Sequence, residues 1–179
     1  MDAHFQRTTH YSIRLARRDE LRKIQVIEKA AAQLFRTTSY ADLADDDGMS
    51  LADLEQWLTD GKIWVAVDQA DEPVGFVVAH AIDGTVYLHE LDIDPQHGRQ
   101  GLGARLIDAV AIWAQERGYP ALTLSTFADV AWNAPYYARL GFRVLEVDEL
   151  GPGLRTVRDE EAASGLAIEK RVCMLRPVG

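Results

Sequence analysis

Cysteine occurs once in the 179 residues, at Cys173, so no disulfide can close within the chain. Positive charge is in the minority: 19 Lys and Arg stand against 28 Asp and Glu, for a formal net charge of −9. A phosphate-backbone footprint needs clustered Lys and Arg, so nucleic acid is excluded as an expected partner. Long apolar runs are missing as well. Stretches such as "GFVVAHAI" fall far short of the roughly 20 residues a membrane helix needs. The opening "MDAHFQRTTHYS" has no apolar segment that could serve as a signal peptide. These absences predict a soluble protein of the reducing cytoplasm with no membrane partner. The 47% hydrophobic content is enough for one core, and the length is short for two, so a single domain over 1–179 is expected, with 1–11 as a flexible N-terminus.

Periodicity divides the chain into alternating elements. A strand is expected at Ser12–Leu15, then a helix behind Asp19 with Leu21, Ile24, Ile27, Ala31 and Leu34 on one face. Ser50 and Asp53 make a capping box for a second helix carrying Leu51, Leu54, Trp57 and Leu58, which Gly61 ends. Three strands follow, "KIWVAVD", "PVGFVVAHAI" and "TVYLHELDI", and the Asp83-Gly84 turn marks the last two as an antiparallel hairpin. Leu102, Leu106, Ala109, Val110 and Trp113 form a helix face closed by Gly118 and Pro120. The remainder reads as the strand "ALTLSTF", the short helix "APYYARL" stopped by Gly141, the strand "FRVLEV", a helix in "TVRDEEAASG" and a last strand in "AIEKRVCMLRP". Hairpins and a crossover helix together define an α/β chain of the α+β type with a mixed, mostly antiparallel sheet of about six to seven strands flanked by helices.

The segment "LDIDPQHGRQGLGARLI" carries the first chemical signal. Gly98, Gly101 and Gly103 lie between a strand and a helix, where backbone N–H groups at the helix's positive end can hold a phosphate or pyrophosphate. Glycine permits close approach and positive φ. The spacing G-x-x-G-x-G differs from the dinucleotide fingerprint and has no P-loop Lys-Ser/Thr pair. Taken alone, it is equally compatible with a tight connection that binds nothing.

Together with "WNAPYYARLGF", this segment resembles the GNAT superfamily of acyl-CoA-dependent N-acyltransferases, and the order of elements matches from about Ser12 to Arg176. The resemblance implies the GNAT fold, a splayed central sheet, and acetyl-CoA as cosubstrate with no metal. It places the backbone of Leu91 and Ile93 against the pantetheine arm, an oxyanion-stabilising N–H near Leu91, and the pyrophosphate on Gly98, Arg99, Gln100, Gly101, Leu102 and Gly103. The sequence departs from the family pattern at Gly98, where an Arg or Gln usually stands, so a side-chain contact is weakened there. Asn133 corresponds to an Asn that contacts the CoA arm in relatives, with a spacing to the tyrosine that differs by three residues; as a local signal it is also a helix N-cap.

Direct acetyl transfer needs a neutral amine, a stabilised oxyanion and a proton for the leaving thiolate. By resemblance Tyr137 is the acid; a phenol with pKa about 10 can protonate a thiolate whose acid has pKa about 8.5. Tyr136 is expected to pack. For the base, strand alternation puts Tyr87, His89, Leu91 and Ile93 on one face and Glu90, Asp92 and Asp94 on the other. "LHEL" followed by "PYYARLGF" has a local resemblance to arylalkylamine N-acetyltransferases, in which histidines on this strand help remove the amine proton. His89 matches one such position, and Glu90 is the second candidate. Trp57 and Trp132 are expected mainly in the core, and Asp45, Asp46 and Asp47 as solvated surface.

The expected activity is acetyl transfer to the primary amine of a small molecule. The alternatives are a protein N-terminus or lysine as acceptor, or a non-catalytic module that senses acyl-CoA. An exposed sheet edge and the C-terminal strand could support a homodimer.

Overall fold

The computed structural model describes residues 10–179. Most of the expected flexible N-terminus, residues 1–9, lies outside the described residues. Tyr11 is tied down: its hydroxyl pairs with His97 Nδ1 at 2.9 Å, and its carbonyl accepts from Arg105 at 2.8 Å.

The seven strands are β1 (Ser12–Leu15), β2 (Lys62–Val67), β3 (Pro73–Ile82), β4 (Thr85–Ile93), β5 (Ala121–Phe127), β6 (Arg143–Val144) and β7 (Arg171–Pro177). They line up as β1-β2-β3-β4-β5-β7-β6, antiparallel throughout except between β4 and β5. That parallel pair holds only from Val86↔Leu122 to Leu88↔Leu124. Beyond it β4 continues to Ile93 and β5 to Phe127 without pairing with each other, so the sheet splays into a wedge. The β3–β4 hairpin turns on Asp83 at φ 50° and Gly84 at φ 74°, the mirror-image turn whose twist suits antiparallel strands.

Helices cover both faces. On one, α1 (Leu21–Ala32) and α2 (Leu51–Asp60) set Leu21, Ile24, Ile27 and Leu54 on Phe76 and Val78. On the other, α3 (Leu102–Glu116) lays Leu102, Leu106, Ile107 and Val110 on Val77, Leu88 and Leu122. Each such fully buried aliphatic or aromatic side chain stabilises the fold by about 1.5–3 kcal/mol. The expected capping box forms: the Asp53 N–H donates to Ser50 Oγ at 3.1 Å, and the Ser50 N–H donates to the Asp53 carboxylate at 2.9 Å.

The structure differs from the sequence expectations at five places. Leu34 lies past the end of α1 in a tighter turn and is 45% exposed. The strand expected in "FRVLEV" pairs with β7 only at Arg143 and Val144, after which Leu145 is buried and the chain turns at 147–149. The next helix, α5 (Pro152–Ala163), starts ahead of Thr156 because the carboxylate of Asp83, from the distant hairpin, accepts from the Gly153 and Leu154 N–H groups at 2.8 and 3.0 Å. Residues 168–170 form a turn, and β7 begins only at Arg171.

The fifth difference bears on function. Across β3 and β4, Leu88 faces Ala79 and Glu90 faces Val78, so His89 is an extra residue in a β-bulge. The alternation expected from an unbroken strand is therefore wrong. Leu88, Leu91 and Ile93 share the α3 face, whereas Tyr87, Glu90 and Asp92 share the α1 face.

Candidate active site

The wedge between β4 and β5 opens into a continuous cavity of about 1980 Å³. One arm runs to the glycine turn before α3, and the other runs under α1 and α2. The β4 edge facing β5 carries no ladder hydrogen bonds beyond Leu88, which leaves backbone groups near Leu91 and Ile93 free for a bound chain.

At the turn, Arg99 and Gly101 adopt φ 60° and 71°, left-handed conformations that Gly101 meets without strain and that cost Arg99 of order 1–2 kcal/mol. Gly98 has the ordinary φ of −62°, and a Cβ there would stand 3.2 Å from the Pro95 carbonyl oxygen, a contact a few tenths of an ångström too tight. Gly101 is the N-cap of α3 and has no side chain to satisfy the first N–H groups, which stay open to an anion. Gly98, Arg99, Gly101, Leu102 and Gly103 line the cavity; Gln100 is exposed and does not.

Helix α4 (Ala134–Arg139) faces this turn across the wedge. Asn133 occupies its N-cap position, but the Asn133 side chain makes no capping bond; its carbonyl accepts from the Tyr137 N–H at 3.0 Å. Gly141 ends the segment at φ 89°. The Tyr137 ring packs edge-on against Phe142 at 5.7 Å, and its hydroxyl, unpaired with any described residue, faces the cavity. Burial pushes the Tyr137 phenol up from its ordinary pKa, and the nearby Glu90 and Asp92 charges push further, so it stays protonated.

The second arm is lined with carboxylates. Glu90 and Asp92 rise from β4 toward Glu28 of α1, with no salt bridge to any of the three among the described residues. Burial raises the Glu90 carboxyl to about 7, and the Glu28 charge adds to the effect. Burial and the Glu90 charge hold Asp92 well above the usual carboxylate range. Glu28 is raised by burial too, although its carboxylate accepts from the Met49 N–H at 3.1 Å. The bulge swings His89 outward onto Trp57, with ring centres 4.7 Å apart, and His80 stacks on the same indole at 4.4 Å. The protein crowding the His89 ring lowers its pKa to about 4, with His80 assisting, even though one edge stays exposed to the cavity.

Trp57, Trp132, Asp46 and Asp47 all line the cavity, against the expectation of core and plain surface. Residues missed in the sequence include His80, Glu28 and the pair Glu161–Arg171, held at 2.8 Å beside Ser125. Glu28 had a signal: it lies four positions after Ile24 and next to Ile27 on the buried face of α1, an unusual place for a carboxylate.

A splayed sheet with an anion-cradling turn on one side and a protonated tyrosine on the other is the architecture of an acyltransferase. The profile described as "Acetyltransferase (GNAT) family" matches residues 19–142, and the chain belongs to that family. The peptidyl-lysine N-acetyltransferase YjaB of Salmonella typhimurium is 34% identical over 107 residues, spanning 56% of this chain and 68% of that protein. The mycothiol acetyltransferase of Renibacterium salmoninarum is 28% identical over 136 residues, spanning 69% of this chain and 40% of that protein. Among solved structures, the Thermoplasma acidophilum PaiA N-acetyltransferase in complex with coenzyme A superposes with TM-score 0.72 at 14% identity, covering 94% of this chain and 99% of that one. Among the described residues no helix is long and apolar enough to cross a membrane.

Proposed function

We propose that this chain transfers acetyl from acetyl-CoA to the primary amine of a small cationic molecule. The observation that carries this reading is the single cavity that joins the glycine turn to a carboxylate-lined arm past the Tyr137 hydroxyl. The turn and the free β4 edge suit the pyrophosphate and pantetheine, and the coenzyme A complex of a structural neighbour supports that donor. The amine nitrogen attacks the thioester carbonyl carbon while Glu90 takes the amine proton. The C–S bond then breaks, and Tyr137 gives its proton to the departing thiolate. Glu90 is preferred over His89 as the base because its carboxyl lines the cavity without a salt bridge, whereas the bulge lays the His89 ring on Trp57. Glu28, Asp92 and Glu90, with no salt-bridge partner among the described residues, favour an ammonium-bearing acceptor.

A lysine side chain is the rival acceptor, favoured by two relatives that are peptidyl-lysine N-acetyltransferases. The experiment is thiol release from acetyl-CoA across small amines, peptides and folded proteins, with Tyr137→Phe alongside the parent. Turnover on a small amine that falls at least 10²-fold in Tyr137→Phe is expected. Turnover on peptide or protein lysines alone would replace the acceptor assignment.

A further inference from the structure

We propose that the Tyr136 hydroxyl is a side-chain ligand of the acetyl-CoA pyrophosphate, held on station by the N-terminus of α3. This rests on the donor reading above and adds a residue to it. Tyr136 was expected to pack, but its phenol reaches across the wedge to α3: a Cβ added at Gly103 would stand 2.6 Å from the Tyr136 hydroxyl oxygen and 3.5 Å from Cζ. That places the phenol oxygen against the first turn of α3, beside the Ala104 N–H. A phenol has one O–H to donate, and no described residue takes it from Tyr136. Tyr136 lines the same arm of the cavity as Arg99, Gly101 and Gly103, so the free O–H is directed where a phosphate oxygen would lie.

The Arg139 guanidinium sits 5.8 Å over the Tyr136 ring and adds positive charge on that side. The arrangement also answers the departure at Gly98, where the family's side-chain donor is missing: a phenol arriving from α4 supplies a donor that the turn itself lacks. Gly103 is then glycine because the phenol must come this close to the helix backbone.

The test is Tyr136→Phe, which keeps the ring and removes the hydroxyl. KM for acetyl-CoA and the calorimetric affinity for CoA are compared with the same measurements on S-acetylpantetheine, a donor without pyrophosphate. The expected result is a roughly tenfold loss of CoA affinity, the size of one hydrogen bond to a charged acceptor, with kcat preserved. On S-acetylpantetheine the variant and parent should agree within about twofold, since the lost partner is absent from that donor. An equal loss on both donors would mean that Tyr136 only packs, and would overturn the proposal. Tighter CoA binding by the variant would overturn it too, because the phenol would then be occupying the anion's place. If the parent itself binds no CoA, the donor reading fails first.

Discussion

The two candidate bases predict opposite pH profiles, which makes the proton acceptor measurable. Burial and the Glu28 charge raise the Glu90 carboxyl to about 7, so it is a base only above neutrality. His89, lowered to about 4 by the protein around it and by His80, is neutral and competent across the whole range from pH 5 to 9. The sign follows directly. If Glu90 takes the proton, kcat rises as pH climbs through about 7, and at pH 6 about a tenth of the Glu90 population is ionised. If His89 takes it, that limb disappears and the rate is flat down to about pH 5.

The assay is thiol release at saturating acetyl-CoA, with an acceptor whose amine is already neutral near pH 7, such as a fluorinated alkylamine. This choice keeps the amine's own titration from hiding the enzyme's. Glu90→Gln should lower kcat by about 10²-fold or more and remove the limb, whereas His89→Gln should leave the limb in place. A flat profile in the parent, or a neutral limb that survives in Glu90→Gln, refutes the assignment of Glu90.

Two further perturbations test the packing that positions the site. Gly103→Ala should destabilise the parent by about 1–2 kcal/mol through collision with the Tyr136 hydroxyl, yet be neutral or stabilising by up to about 1 kcal/mol in Tyr136→Phe, since alanine is the better helix former; additive effects in urea unfolding would contradict the geometry. Glu161→Gln should cost about 3 kcal/mol, because it leaves Arg171, whose Nε already has no partner, as a nearly buried cation facing a neutral amide. The matching fall in Tm is about 6–12 °C, and a fall under 2 °C would show the pair to be solvated.

What was legible in the sequence is what short-range chemistry determines. The Asp83-Gly84 turn, the Ser50–Asp53 box and the glycine turn before α3 each depend on neighbours a few residues away, and each forms as expected. The start of α5 was not legible, since its N–H groups are satisfied by Asp83, which is distant along the chain. The Tyr136 contact to α3 was equally hidden: two tyrosines in a row say nothing about which one crosses the wedge.

The bulge at His89 falls between these cases, and it decides the chemistry. The apolar residues facing α3 on β4 are Val86, Leu88, Leu91 and Ile93. A regular strand repeats every two residues, so the step of three between Leu88 and Leu91 requires one residue outside the alternation. Counting straight through His89 sends Glu90 and Asp92 to the wrong face relative to Tyr87. Skipping His89 puts all three on the α1 face, where Glu90 acts on Tyr137, and frees His89 to lie against Trp57. The carboxylate that this reading makes the base therefore shares a face with Tyr87 because His89 stands outside the alternation. Deleting His89 should leave Glu90 facing the cavity while removing the ring from Trp57, which separates the position of the base from any contribution of the imidazole.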